Sequence, residues 1–274
     1  MKILVVGGTG FLGAELVRQA TALGHVVAAT CFTRPGAAAE ADWRSLDIRD
    51  RADVARLVAD VAPDVVVNAA YRQSDWGITA VGAANVALAT APGVRLVQVS
   101  SDAVFSGAAV TYAEDAVPDP DSPYGAAKAA AEVMIQATNP TAVIARTSLI
   151  IGDGGSPHEA LVHTLASGER PGILFTDDVR CPVHVADLAA ALLELADSDR
   201  AGVHHLAGTD ALSRYELGLL IARRDGVDPA RLPSGARADV GLAGRRDVRL
   251  DCELTRRHLK TRLRGAREFL SCRE

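Results

Sequence analysis

The residues Met1 to Gly13, MKILVVGGTGFLG, constrain the fold of this 274-residue chain more than any other stretch. Lys2 to Val6 is a short, β-branched, apolar run, the pattern of a strand buried in a parallel sheet. Gly7, Gly10 and Gly13 follow at once. Phe11 to Leu23 then places apolar residues at helical spacing, until Gly24 ends the pattern. Strand, glycine turn and helix in that order open a dinucleotide-binding βαβ unit. Gly7 would permit the tight turn, Gly10 the approach of backbone to a pyrophosphate, and Gly13 the close packing of helix on strand. The phosphates would rest on the N–H groups that begin the helix.

The rest of the chain repeats the alternation. Strands are expected at His25 to Thr30, Asp64 to Asn68, Arg95 to Ser100, Thr141 to Ala145 and Val203 to Leu206, and short ones elsewhere such as Ile173 to Phe175. Helices are expected at Arg51 to Val61, Gly77 to Thr90, Gly125 to Ala137, Glu159 to Ala166, Val183 to Ala196 and Tyr215 to Arg224. The expected fold is α/β, a doubly wound parallel sheet of the Rossmann kind with a smaller C-terminal substrate lobe. Residues 1–150 with 182–207 would form the dinucleotide-binding domain, and 151–181 with 208–274 the lobe.

Composition removes several classes of function. The net charge is −5 without a long basic tract, which argues against nucleic-acid binding. No apolar run reaches the length of a membrane span. The N-terminus lacks the charged start and cleavage site of a signal peptide, so a cytoplasmic protein is expected. Cys31, Cys181, Cys252 and Cys272 are scattered without metal or redox spacing, and read as reduced thiols; no metal is expected. The cluster Arg245, Arg246 and Arg249 reads as a solvated loop.

The expected cofactor is NADP(H), with NAD(H) as the open alternative. An acidic residue after the second strand would hold ribose hydroxyls, and none stands there. Arg34 follows instead and suits a 2′-phosphate, the other reading being a solvent-exposed loop arginine. Ala69 and Ala70 are small residues at a strand end, where a cofactor can come close. The fourth strand delivers Ser100, Ser101 and Asp102 to the edge of the sheet where ligands bind. Tyr124 and Lys128, four apart, share a helical face. An ammonium beside a phenol favours the phenolate, and a serine hydroxyl can orient a carbonyl oxygen. Ser101, Tyr124 and Lys128 can therefore protonate that oxygen while a hydride reaches the carbon. Arg180 either reaches a substrate phosphate or hydroxyl, or pairs structurally with Asp177 or Asp178.

With GGTGFLG, VVNAA, VSSDAVF, YGAAK and RTS in this order, the chain resembles the extended short-chain dehydrogenase/reductases. VSSDAVFSG and RTSLIIG make it most similar to the dTDP-4-dehydrorhamnose reductase-like group. The resemblance implies an NAD(P)-dependent oxidoreductase whose catalytic trio is Ser101, Tyr124 and Lys128. It implies phosphate contacts from Gly7, Gly10, Phe11, Leu12 and Gly13, and adenine contacts near Asp47 and Ile48. Ribose or nicotinamide contacts would come from Ala69, Ala70, Tyr71, Tyr124 and Lys128. The substrate, a small-molecule carbonyl on a sugar or sugar nucleotide, would meet Ser101, Asp102, Ala103, Ser148, Leu149 and Arg180. Ala103 stands where the group usually has tyrosine, and Leu149 where it often has tryptophan, so both departures fall at the sugar pocket. Ala103 also denies the chain the glutamate base of the related 4,6-dehydratases. Two other readings share the motifs: an NAD-dependent sugar-nucleotide epimerase, and a non-catalytic NADP-binding regulatory subunit. The helices Gly77 to Thr90 and Gly125 to Ala137, with Ala-rich faces, permit a homodimer.

Overall fold

The computed structural model describes residues 1–90 and 93–271, so Cys272 lies outside the described residues. Among these, seven strands form one parallel sheet: β1 (Lys2–Val6), β2 (Val26–Cys31), β3 (Asp42–Ser45), β4 (Val65–Asn68), β5 (Arg95–Ser101), β6 (Val143–Thr147) and β7 (Gly202–Leu206). Their spatial order is β7-β6-β5-β4-β1-β2-β3. The winding reverses between β1 and β4, and a crevice opens there at the carboxyl ends of the strands.

Side chains alternate across the sheet because successive residues of a strand point to opposite faces. Ile3 and Val5 enter one core with Leu16 of α1 (Phe11–Ala22) and Leu192 of α6 (Val185–Ala196). Leu4 and Val6 enter the other with Val58 of α2 (Arg51–Val61), Val86 of α3 (Ala83–Thr90) and Ile135 of α4 (Pro123–Thr138). A third apolar cluster joins α5 (Pro157–Ser167) to α7 (Arg214–Arg224) through Leu165, Leu217 and Ile221. It covers no strand of the main sheet and forms a separate body of packing over residues 149–174 and 212–270.

Three elements differ from the pattern expected of the sequence. β3 has the polar sequence DWRS and only one large apolar residue, Trp43, so periodicity gave no strand there. It forms because it pairs with β2 at the edge of the sheet, where solvent takes its outer side. Gly77–Gly82 is a π-helical turn that leads into α3, rather than one continuous α-helix. Val183–His184 is a two-residue strand against Ile150–Ile151, and the helix begins only after the His184 ring caps Ala186 N–H at 3.2 Å. No described helix is long and apolar enough to cross a membrane. Cys31, Cys181 and Cys252 are buried unpaired thiols, and burial pushes Cys181 up to about 11.

Candidate active site

The glycine turn joins β1 to α1. Gly7 has a φ of +83°, and a side chain there would meet the backbone of Ala70 at 2.8 Å. A Cβ on Gly13 would sit 2.0 Å from the Gly7 carbonyl oxygen, so only glycine lets α1 begin so close to β1. Gly10 is the residue before α1 and offers no side chain to cap it. The first N–H groups of α1 therefore lack a side-chain acceptor, and Gly10, Phe11, Leu12 and Gly13 line one end of a cavity of about 950 Å³. An anionic pyrophosphate fits this cradle, since helix N-termini favour negative charge.

Ser101, Tyr124 and Lys128 line the same cavity, as do Ala69 and Tyr71. Three local devices place them. β5 ends in Ser101, whose hydroxyl accepts from Ala103 N–H at 3.1 Å and turns the chain away. Ser122 caps α4 by accepting from Gly125 N–H at 3.2 Å, and Pro123 occupies the first helical position. Tyr124 is thus fixed at the start of the helix, and Lys128 follows one turn later on the buried face.

The Lys128 ammonium donates to the Val99 carbonyl at 2.9 Å and lies 5.1 Å from the Tyr71 ring centre and 6.0 Å from that of Tyr124. Burial pushes Lys128 down to about 8, opposed by the carboxylate of Glu132. Burial also holds the Tyr124 phenol well above its ordinary range, and the Ser101 hydroxyl opposes that shift. The spacing of Tyr124 and Lys128 predicts a lowered phenol pKa, and the direction is the reverse, because desolvation of the phenol dominates.

The opposite wall comes from the segments after β6 and around α5 and α7. Asp102 is 5% exposed and accepts from the Ser148 hydroxyl at 2.7 Å. Arg180 lies between two carboxylates, at 2.7 Å from Asp178 and 3.5 Å from Asp102, and is 4% exposed. The expected pairing with Asp178 is present, and Arg180 also lines the cavity, where the expected substrate contact would fall. Ala103, Ser148 and Leu149 also line the cavity. Among the lining residues that the sequence pattern does not reveal are His158, Arg170, Arg214 and Arg246. Arg246 departs from its neighbours: the exposed Arg245 and the half-buried Arg249 pair with the buried Asp247, while Arg246 turns inward and pairs with Asp121 at 2.8 Å. Nothing in the local pattern separates it from its neighbours, because the lobe's irregular backbone decides which arginine turns in.

The residues expected around an adenosine are more scattered. Arg34 is exposed, in the loop after β2, and no described residue pairs with it. The Asp47 carboxylate is held by Arg49 at 2.6 Å, which lowers its pKa. Ile48 is buried, and its carbonyl accepts from Asn85 at 3.0 Å. Ala70 N–H donates to the Asn68 side chain at 3.1 Å, which fixes the strand end beside Gly7.

A charged pair lies beneath the trio and was also missed. Arg146 of β6 grips Glu132 of α4 at 2.8 Å, and both side chains are 3% exposed. Ser100 donates to the same carboxylate, and the guanidinium stacks 5.0 Å from the Phe105 ring centre.

Comparison with known proteins places the site in a family. The model described as "RmlD substrate binding domain" matches residues 1–271. The chain is 32% identical over 243 residues to the spore coat polysaccharide biosynthesis protein SpsK of Bacillus subtilis, covering 84% of this chain and 82% of that one. It is 32% identical over 251 residues to the dTDP-4-dehydrorhamnose reductase of Mycolicibacterium smegmatis, covering 86% and 73%. The dTDP-4-dehydrorhamnose reductase of Bacillus anthracis, solved with NADP, superimposes with a TM-score of 0.80 at 23% identity over 98% of this chain and 96% of that one, a likeness of fold. The chain accordingly belongs to the RmlD substrate-binding-domain family, within the extended short-chain dehydrogenase/reductases.

Proposed function

We propose that the chain is an NADP(H)-dependent reductase of a carbonyl group on a sugar nucleotide. The observation that carries this reading is one cavity with an uncapped, glycine-lined helix start at one end and Ser101, Tyr124 and Lys128 beside it. The lobe-side arginines Arg170, Arg214 and Arg246 add a cationic wall suited to a diphosphate. Gly7, Gly10, Phe11, Leu12 and Gly13 would hold the cofactor's pyrophosphate, Ala69, Ala70 and Tyr71 the region near its nicotinamide, and Lys128 its ribose. When bound, the cofactor supplies the hydride. Ser101 holds the substrate carbonyl oxygen, and Tyr124 delivers a proton to it. Ala103 and Leu149 leave the sugar pocket wider than aromatic residues would.

Turnover and cofactor choice test the reading together. Purified protein should oxidise NADPH when given dTDP-4-dehydrorhamnose. It should bind NADPH about tenfold or more tightly than NADH, as a charge-assisted contact from Arg34 to a 2′-phosphate implies. Arg34→Ala should remove most of that preference in a fluorescence titration. Equal affinities that Arg34→Ala leaves alone would remove Arg34 from the site. Tight NADPH binding without turnover of any carbonyl would favour the regulatory-subunit reading.

A homodimer through α3 and α4 belongs to the same proposal. Lys128 and Glu132 are the charged residues of these two helices, and both point inward. The outer surface keeps Val133 and Met134 of α4, and Val81 of the π-helical turn before α3, which are 63%, 44% and 46% exposed. A solvated helix face normally carries charge, and an uncharged one can meet its own copy about a twofold axis without burying any. Light scattering should give twice the chain mass for the wild type and the monomer mass for Val133→Glu. A wild-type monomer at micromolar concentration would defeat the assignment.

A further inference from the structure

We infer that His158 is a specificity-determining residue, whose imidazole accepts a hydrogen bond from a hydroxyl of the substrate's sugar ring; this rests on the sugar-nucleotide reading above. His158 lies in the first turn of α5 and lines the cavity. Ser156 and Glu159 cap that turn reciprocally, and Arg224 holds Glu159 at 2.6 Å, so the backbone carrying the imidazole is fixed. Among the described residues, the ring of His158 makes no hydrogen bond.

A sugar hydroxyl both donates and accepts, and a pocket that supplies donors alone leaves its proton unsatisfied. The lobe-side wall is rich in donors, with Arg170 and Arg214 facing the cavity between the apolar Leu149 and Leu161. Ser148 and Asp102 beside it already carry partners. Ser148 Oγ donates to Asp102 and accepts from Cys181 N–H at 3.2 Å. The Asp102 carboxylate takes Ser148 on one oxygen and Ser101 on the other. His158 is a lining acceptor with no hydrogen-bond partner among the described residues, provided its ring is neutral. Burial, aided by the charge of Arg214 and opposed by Glu159, pushes it down to about 4, so it offers one lone pair and one N–H near neutral pH.

Calorimetric titration of the NADP-saturated protein with dTDP-rhamnose and with dTDP tests this. His158→Phe keeps an aromatic ring of similar bulk and removes both nitrogens. It should weaken dTDP-rhamnose about tenfold, the usual cost of one unmade hydrogen bond, and leave dTDP and NADPH affinities unchanged. His158→Asn, which keeps an acceptor, should recover part of the loss. Unchanged dTDP-rhamnose affinity in His158→Phe overturns the role of His158 alone. Equal losses for dTDP and dTDP-rhamnose overturn it too, because they mean a disturbed wall rather than a lost hydroxyl contact. Failure of the wild type to bind either nucleotide overturns the sugar-nucleotide reading, and this assignment with it.

Discussion

Tyr124→Phe is expected to slow carbonyl reduction by roughly a hundred- to ten-thousand-fold, the usual cost of losing a positioned acid. NADPH affinity should be nearly unchanged, because the glycine turn and Lys128 remain. The direction of the Tyr124 shift supports the role. Burial keeps the phenol protonated across the physiological range, so the proton is present when the carbonyl begins to accept the hydride. The oxygen that develops is an alkoxide, far more basic than a phenolate, and it draws the proton across. The phenolate left behind is then the buried charge needing support, and the Lys128 ammonium 6.0 Å from the ring centre and the Ser101 hydroxyl are placed to give it. The measurement is single-turnover NADPH oxidation beside an NADPH titration, in the wild type and in the variant. Turnover in Tyr124→Phe at the wild-type rate would refute the assignment. A parallel loss of NADPH affinity would mean that the phenol holds the cofactor instead.

What could be read before the structure was what local chemistry dictates. The β1 run, the glycines and the spacing of Tyr124 and Lys128 announce themselves because each depends on neighbours in sequence. Gly13 is legible because helix and strand approach at a fixed distance in any βαβ unit. The lobe is different. His158, Arg214 and Arg246 come from α5, α7 and a two-residue strand, and only tertiary packing brings them to one cavity. Strands of two residues, such as Leu212–Ser213 and Arg246–Asp247 on either side of Asp178–Arg180, are too short to show a period. β3 hid for the opposite reason: an edge strand can stay polar, and DWRS carries no alternation that a loop lacks. Arg180 has a partner that no local pattern shows, Asp102, 78 positions away in sequence and 3.5 Å away in space.

The buried pair of Glu132 and Arg146 gives the second large effect. Arg146→Met should lower stability by about 3–5 kcal/mol, because it strands a carboxylate at the centre of the protein. For a chain of this size that corresponds to roughly 10 °C in Tm. The guanidinium also donates to the Glu114 and Ala116 carbonyls, at 3.4 and 3.3 Å, so the long segment before α4 loses two ties as well. Glu132→Leu with Arg146→Met removes both charges and should regain most of the loss, since apolar replacement of a buried pair is often neutral. Thermal melts of the wild type, the single variant and the double variant check this. A double variant no more stable than Arg146→Met would show that the carbonyl ties, and not the stranded charge, set the cost. An unshifted single variant would show that Glu132 finds water or another partner. The pair joins β6 to α4 one turn beyond Lys128, and Ser100 binds the same carboxylate next to Ser101. A double variant that recovers its melting point but not its turnover would therefore separate two roles of one ion pair: holding the helix to the sheet, and holding Lys128 and Ser101 in register across the cavity.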